Sequence, residues 1–245
     1  MHALLYYPLA SLAIYLSITL AFLGLHVALP SVQIIGFIFR CLAAYLTLII
    51  CSIYGTIASF ILRLLNLHYK YAQYTTARAF KIISRYTIGV EFSIAPGGEK
   101  LLSAKRPYVI VANHQTELDI LFLGWIWPTN CSVTAKRSLA YVPLLGWFMM
   151  LSGAIFIDRV DRNQALRAFE GAARVVRELD QSVLIFPEGT RSHSATPTLL
   201  PFKKGAFHLA VQSGADILPV VAENYSRVLN IKARRFNSGT IRVKG

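Results

Sequence analysis

The apolar positions of this 245-residue chain fall into two regimes. From residue 3 to residue 29 there is no Asp, Glu, Lys or Arg, and after Pro30 a second apolar run continues to residue 62, interrupted by Arg40 alone. Each run exceeds the roughly 20 residues that cross a bilayer, so the pattern predicts two membrane helices over residues 1–62. A polar and aromatic stretch, residues 63–87, reads as a third helix. From residue 88 the texture changes to short apolar runs alternating with stretches of helical periodicity, the signature of an α/β domain whose mixed, largely parallel sheet is flanked by helices. In this domain, residues 88–245, the pattern predicts strands at 91–94, 108–112, 132–135, 154–157, 183–186, 217–221 and 240–243. Helices are expected at 118–127, 138–151 and 162–179, with a further one led by residues 202–205. The run 108–112 is β-branched and uninterrupted, as a strand covered on both faces would be.

Composition sharpens the first regime. The chain is 55% hydrophobic and 15% charged, too apolar for an ordinary soluble domain. No Lys or Arg precedes the first run, and the run is too long for the apolar region of a cleaved signal peptide. Arg63, Lys70, Arg78, Lys81 and Arg85 follow the second run, whereas Arg40 alone precedes them, which by the positive-inside rule puts the downstream domain in the cytosol. Two arrangements fit: a hairpin that crosses the bilayer, or one embedded in a single leaflet. Residues 64–86 interleave those cations with Tyr69, Tyr71, Tyr74, Phe80 and Tyr86 and contain no acid. This suits either a helix at headgroup depth or a linker packed on the next domain. The net charge of +13 would match nucleic acid or anionic lipid, and the apolar first quarter favours lipid. Cys41, Cys51 and Cys131 are spaced as neither a metal site nor a disulfide framework, and Asn130 and Asn224 begin short glycosylation sequons that a cytosolic domain leaves unused.

Candidate chemistry gathers behind residues 108–112, in Asn113-His114-Gln115-Thr116-Glu117-Leu118-Asp119. On one unbroken helix His114 and Asp119 would lie about 140° apart, at roughly 100° per residue. With His114 in the turn and Asp119 at the helix start, the carboxylate can accept the ring N–H and leave the other nitrogen as a general base. Two more polar clusters end apolar strands: Asp158 with Arg159, and Pro187-Glu188-Gly189-Thr190-Arg191. That edge of an α/β sheet is where ligands bind. Arg191, Lys203 and Lys204 suit a phosphate, Arg by its planar fork and Lys as a point charge.

In order, the segments Asn113 to Asp119, Gly153 to Arg159, Phe186 to Arg191 and Ile217 to Val220 resemble the four sequence blocks of the 1-acylglycerol-3-phosphate acyltransferases, within the wider glycerolipid acyltransferase superfamily. The linking segments at Ala135-Lys136-Arg137 and Phe202-Lys203-Lys204-Gly205 match as well, and the resemblance covers residues 88–245. It implies transfer of a fatty acyl group from acyl-coenzyme A, a co-substrate rather than a cofactor, to the sn-2 hydroxyl of lysophosphatidate, giving phosphatidate. A related glycerolipid acyltransferase acting on glycerol 3-phosphate or another lysophospholipid is the alternative. His114 and Asp119 are then the catalytic pair, with no covalent intermediate and no metal. Arg159, Glu188, Gly189, Thr190 and Arg191 are expected at the acceptor's glycerol phosphate, Lys136, Lys203 and Lys204 at that phosphate or at coenzyme A, and a backbone N–H near Gly189 at the oxyanion. The partners implied are the two lipid substrates and a bilayer, that of the endoplasmic reticulum, and not nucleic acid. Family members run on past residues 240–243, so the resemblance also implies a domain truncated at Gly245.

Overall fold

The computed structural model describes residues 2–103, 107–158 and 160–244. Three helices come first, α1 (His2–Ala28), α2 (Gln33–Leu64) and α3 (His68–Thr87). An α/β layer follows: β1 (Val90–Ile94), α4 (Gly98–Leu102), β2 (Tyr108–Ala112), α5 (Asp119–Ile126), β3 (Cys131–Lys136), α6 (Leu145–Leu151) and β4 (Ile155–Ile157). It continues through α7 (Arg162–Leu179), β5 (Ser182–Ile185), α8 (Gly205–Ser213), β6 (Asp216–Ala222), the short pair β7 (Leu229–Asn230) and β8 (Arg235–Phe236), and β9 (Gly239–Lys244).

Seven strands form one sheet in the order β1-β9-β6-β2-β5-β3-β4. Every neighbour is parallel except β6 with β9. The uninterrupted apolar run thus becomes the central strand β2, between β5 and β6, with Val109 and Ile110 fully buried. The amphipathic helix α7 starts where Asp161 caps it, accepting the Asn163 and Gln164 N–H groups at 2.8 and 3.0 Å. Its apolar stripe, Ala172, Ala173 and Val176, packs with Val183 and Ile185 of β5 and Leu209 of α8.

One expectation is corrected. The single helix foreseen over residues 138–151 is a 3-10 turn at Arg137–Tyr141 followed by the shorter α6. Pro143 forces Val142 into extended backbone, and Leu144 then turns at φ +64°. The pair β7 and β8 and the five-residue α4 were not foreseen, because two- and five-residue elements leave no periodicity to read.

The third helix, α3, packs on the domain. It buries Ala72, Gln73, Thr76, Ala77 and Phe80, and Gln73 ties α3 to the sheet by accepting the Val133 N–H at 3.0 Å. Its cations sit over rings, Arg78 over Tyr74 and Lys81 over Trp125, at 4.9 and 4.2 Å. The second helix also lies on the domain along its whole length. Gln33 donates to the carbonyls of Ala233 and Arg234, Arg40 to Ile88 O at 2.7 Å, Thr56 to Leu144 O at 3.1 Å and Arg63 to Leu151 O at 3.3 Å. Close approach is allowed by a stripe of small residues, Ala43, Thr47, Cys51, Gly55 and Ser59, at intervals of four, with Gly36 seven residues before it. In contrast, α1 leaves most of its apolar side chains exposed from Tyr6 onward.

Candidate active site

The parallel strands β2, β5 and β3 deliver their carboxyl ends to one edge of the sheet, and the His114 turn, the turn 187–191 and Lys136 follow from them. The His114 turn is held on every side. Asn113 exchanges two hydrogen bonds of 2.9 Å with the backbone of Ala222, and Gln115 donates to the carbonyls of Ala222 and Glu223 at 3.0 Å. On the other flank, the Ser192 and His193 N–H groups donate to the carbonyls of His114 and Gln115 at 3.0 Å.

Within this frame His114 and Asp119 meet. Nδ1 lies 2.5 Å from Asp119 Oδ2, which also accepts the Gln115 N–H at 2.9 Å, while Oδ1 accepts the Tyr225 hydroxyl. The imidazole stacks on Phe186 with centroids 4.2 Å apart. The carboxylate thus fixes the tautomer with the proton on Nδ1, and Nε2 is the nitrogen left for chemistry. Burial pushes the Asp119 carboxyl above its ordinary value, opposed by its hydrogen bond to His114, the charge of His114, the Gln115 N–H and the charge of Arg191.

His114 and Asp119 open onto a cavity of about 450 Å³ between α3, α5, α6 and β3. Its walls are chiefly apolar, among them Phe80, Leu123, Trp127, Leu145, Phe148 and Met149, and its polar lining includes Lys136, Thr190, Arg191 and His193. Arg191 Nη1 reaches Glu117 Oε1 at 3.0 Å, a single contact that leaves Arg191 Nε and Glu117 Oε2 without partners.

The remaining expected site residues divide. Glu188 is 3% exposed, and its oxygens accept the N–H groups of His114 and Leu200 at 2.6 and 2.9 Å. Contact with an acceptor, expected from the sequence, is not available in this geometry: the carboxylate holds the His114 turn in place. Gly189, at φ +69°, is covered by the Lys203 side chain, and its N–H donates to Phe186 O at 3.0 Å, so that N–H cannot serve an oxyanion. Lys203 and Lys204 are exposed and lie outside the cavity lining. Arg159 lies outside the described residues.

Sequence reasoning missed Tyr225, Phe186, Glu117 and His193. Tyr225 is fully buried and stands 106 residues from the carboxylate it serves. No local spacing could have pointed to it, whereas His193, two residues beyond Arg191, was within reach.

Known proteins resemble this chain in sequence and in fold. The acyltransferase family model matches residues 94–223. The chain is 44% identical over 205 residues to the 1-acyl-sn-glycerol-3-phosphate acyltransferase of Saccharomyces cerevisiae, covering 84% of this chain and 66% of that protein. It is 44% identical over 206 residues to an uncharacterised acyltransferase of Schizosaccharomyces pombe, covering 84% and 73%. The chain thus spans just under two thirds of the S. cerevisiae protein's length. Among solved structures, the 1-acyl-sn-glycerophosphate (LPA) acyltransferase PlsC from Thermotoga maritima shares the fold, with a TM-score of 0.66 at 21% identity, over 84% of this chain and 82% of that one. The family match takes in the His114 turn, the cavity wall from α5 to α6 and the turn 187–191, and on it this chain belongs to the acyltransferase family.

Proposed function

We propose that this protein moves a fatty acyl group from acyl-coenzyme A to the sn-2 hydroxyl of lysophosphatidate, giving phosphatidate and coenzyme A. The observation that carries the reading is the 2.5 Å contact between His114 and Asp119 at the mouth of an apolar cavity. His114 Nε2 takes the hydroxyl proton as the oxygen attacks the thioester carbonyl carbon. The tetrahedral adduct collapses, the carbon–sulfur bond breaks, and the coenzyme A thiolate receives the proton back from the imidazolium. The Asp119 carboxylate supports the transient positive charge. No acyl-enzyme is required, since the thioester is already activated. The apolar walls suit an acyl chain, and Arg191, Thr190 and Lys136 offer the polar end of the cavity to the acceptor phosphate. The relatives named for 1-acyl-sn-glycerol-3-phosphate support this acceptor.

The same reading covers the membrane. Two helices long and apolar enough to enter a bilayer point to membrane association. At about 1.5 Å per residue, the 32 residues of α2 extend roughly 48 Å, well beyond a hydrocarbon layer of about 30 Å. Both ends of α2 rest on the domain, at residues 233–234 and at Leu151, so a crossing α2 would drag the catalytic domain into the bilayer. We therefore infer that α1 and α2 lie in one leaflet, with α1 outermost, of the endoplasmic reticulum membrane and with the catalytic domain on the cytosolic side, where acyl-coenzyme A is available.

The test is a purified enzyme assayed with a panel of lysolipid acceptors and acyl donors. His114→Ala should cut turnover about 10²- to 10⁴-fold while leaving expression and membrane association unchanged. More than half of the wild-type turnover in His114→Ala would overturn the mechanism, and faster turnover with glycerol 3-phosphate or another lysolipid would overturn the acceptor.

A further inference from the structure

The β7–β8 hairpin carries a tip that the proposed chemistry does not use. Residues 231–234 connect the two short strands, and Ile231, Lys232 and Arg234 are all exposed, Ile231 at 50%. Arg234 holds the left-handed backbone at φ +47°. Beyond Glu223 the chain contains no acid. Glu223 itself is occupied by Arg227 at 2.6 Å and Arg242 at 3.0 Å. Among the described residues, no carboxylate therefore pairs with Lys232 or Arg234.

Tertiary structure decides where this charge lies. Gln33, in the first turn of α2, donates to the carbonyls of Ala233 and Arg234 at 3.1 and 3.2 Å. The tip is thereby fixed beside the α1–α2 turn, whose Leu29 and Val32 are exposed at 47% and 37%. The surface so assembled joins apolar side chains from residues 29–32 and 231 to two unpaired cations about 200 residues further along the chain than the turn they accompany. At the opposite end of α2, Arg63 and Lys70 are exposed beside Leu64 and Leu65. Cations therefore flank both ends of an apolar helix pair, where anionic headgroups attract them.

We propose that the tip 231–234 is a docking site for anionic phospholipid headgroups: Lys232 and Arg234 contact the phosphates while Ile231 enters the interface beside the α1–α2 turn. Resting on the one-leaflet reading above, it adds a second, electrostatic foothold distant in sequence from the helices. The tip would keep the α1–α2 turn at the surface and draw the enzyme to bilayers rich in anionic lipid.

The protein, with Cys41 replaced by Ser because it is partly exposed whereas Cys51 and Cys131 are buried, accepts a polarity-sensitive fluorophore at Ile231→Cys or at Ile14→Cys. Both are reconstituted with phosphatidylcholine vesicles with and without phosphatidylglycerol. Emission from position 231 should shift to the blue and be quenched by headgroup spin labels when phosphatidylglycerol is present, and added salt should reverse this. Replacing Lys232 and Arg234 by Gln should weaken the tip's hold on the surface about fivefold for each cation, with turnover in detergent unchanged. A probe at 231 that stays in water, or that ignores lipid charge, while the probe at 14 is in the bilayer overturns this proposal alone. A probe at 14 that stays in water overturns the membrane reading and this one together.

Discussion

Asp119 shows how a single residue is made to work against its own surroundings. It is 3% exposed, and burial raises its carboxyl above the ordinary value. Stability from its protonated form is therefore present below the ordinary carboxylate range and lost as pH rises through the elevated value, so that near neutrality the ionised group costs stability. Asp119→Asn should thus unfold at the same or a higher temperature than wild type at neutral pH while losing most of its turnover. The hydroxyl of Tyr225 favours the charged carboxylate, and Tyr225→Phe removes that donor. The acid limb of the kcat/KM profile should then move up by roughly one pH unit, since a hydrogen bond to a charged group has about that worth. An unmoved limb would show that Tyr225 only fills space. Glu117 predicts the opposite direction of change. Its single contact with Arg191 at 3.0 Å neutralises the cation that the proposed function assigns to the acceptor phosphate, and both side chains are more than a third exposed. Glu117→Gln should lower the acceptor KM about two- to fivefold, the range of an exposed ion pair, at constant kcat. A raised KM would mean that Glu117 orients Arg191.

Among elements, α2 has the most demanding contacts. A Cβ on Gly55 would come 2.7 Å from Phe148 and 2.9 Å from Thr76, side chains of α6 and α3 that both line the cavity. Gly55→Leu should therefore cost about 1–3 kcal/mol as overpacking does, visible as a lower unfolding temperature, and should slow turnover with long acyl chains more than with short ones. Equal slowing for all chain lengths would place the damage elsewhere. The long elements were legible beforehand: α7 spans the residues its stripe foretold, and β2 is the central strand that its unbroken apolar run implied. The stretch 137–151 was not, because Pro143 and the turn at Leu144 interrupt a run whose apolar spacing remains helical throughout. That α3 packs one face on the domain also took contacts to see, since cations over tyrosines suit a headgroup layer and a packed helix equally.

For the whole molecule the test is topological. Ser31, in the α1–α2 turn, and Asn66, beyond α2, are both exposed. In a Cys41→Ser background, cysteines placed at either position should react with a membrane-impermeant maleimide from the same side of sealed vesicles. Labelling from opposite sides would show that α2 crosses. Hydropathy carries this far: apolar run lengths foretold two lipid-compatible helices, and the positive-inside count assigned a side. Neither property distinguishes a helix surrounded by lipid from one with a face against protein, because small residues at intervals of four are compatible with both. The same division holds at the site. His114, Asp119 and Arg191 announce themselves by local spacing, because a turn after a parallel strand brings residues five apart into contact and places them at the ligand-binding edge. Tyr225 beneath Asp119, Glu188 behind the His114 turn and Gln33 against the 231–234 tip could be read only from the fold: contacts spanning 106, 74 and about 200 residues leave no period in a sequence. Parallel registers, Ala112 opposite Val220 and Val111 opposite Ile185, bring the Tyr225 and Glu188 segments beside the His114 turn, and only the packing of α2 on the domain brings Gln33 to the tip.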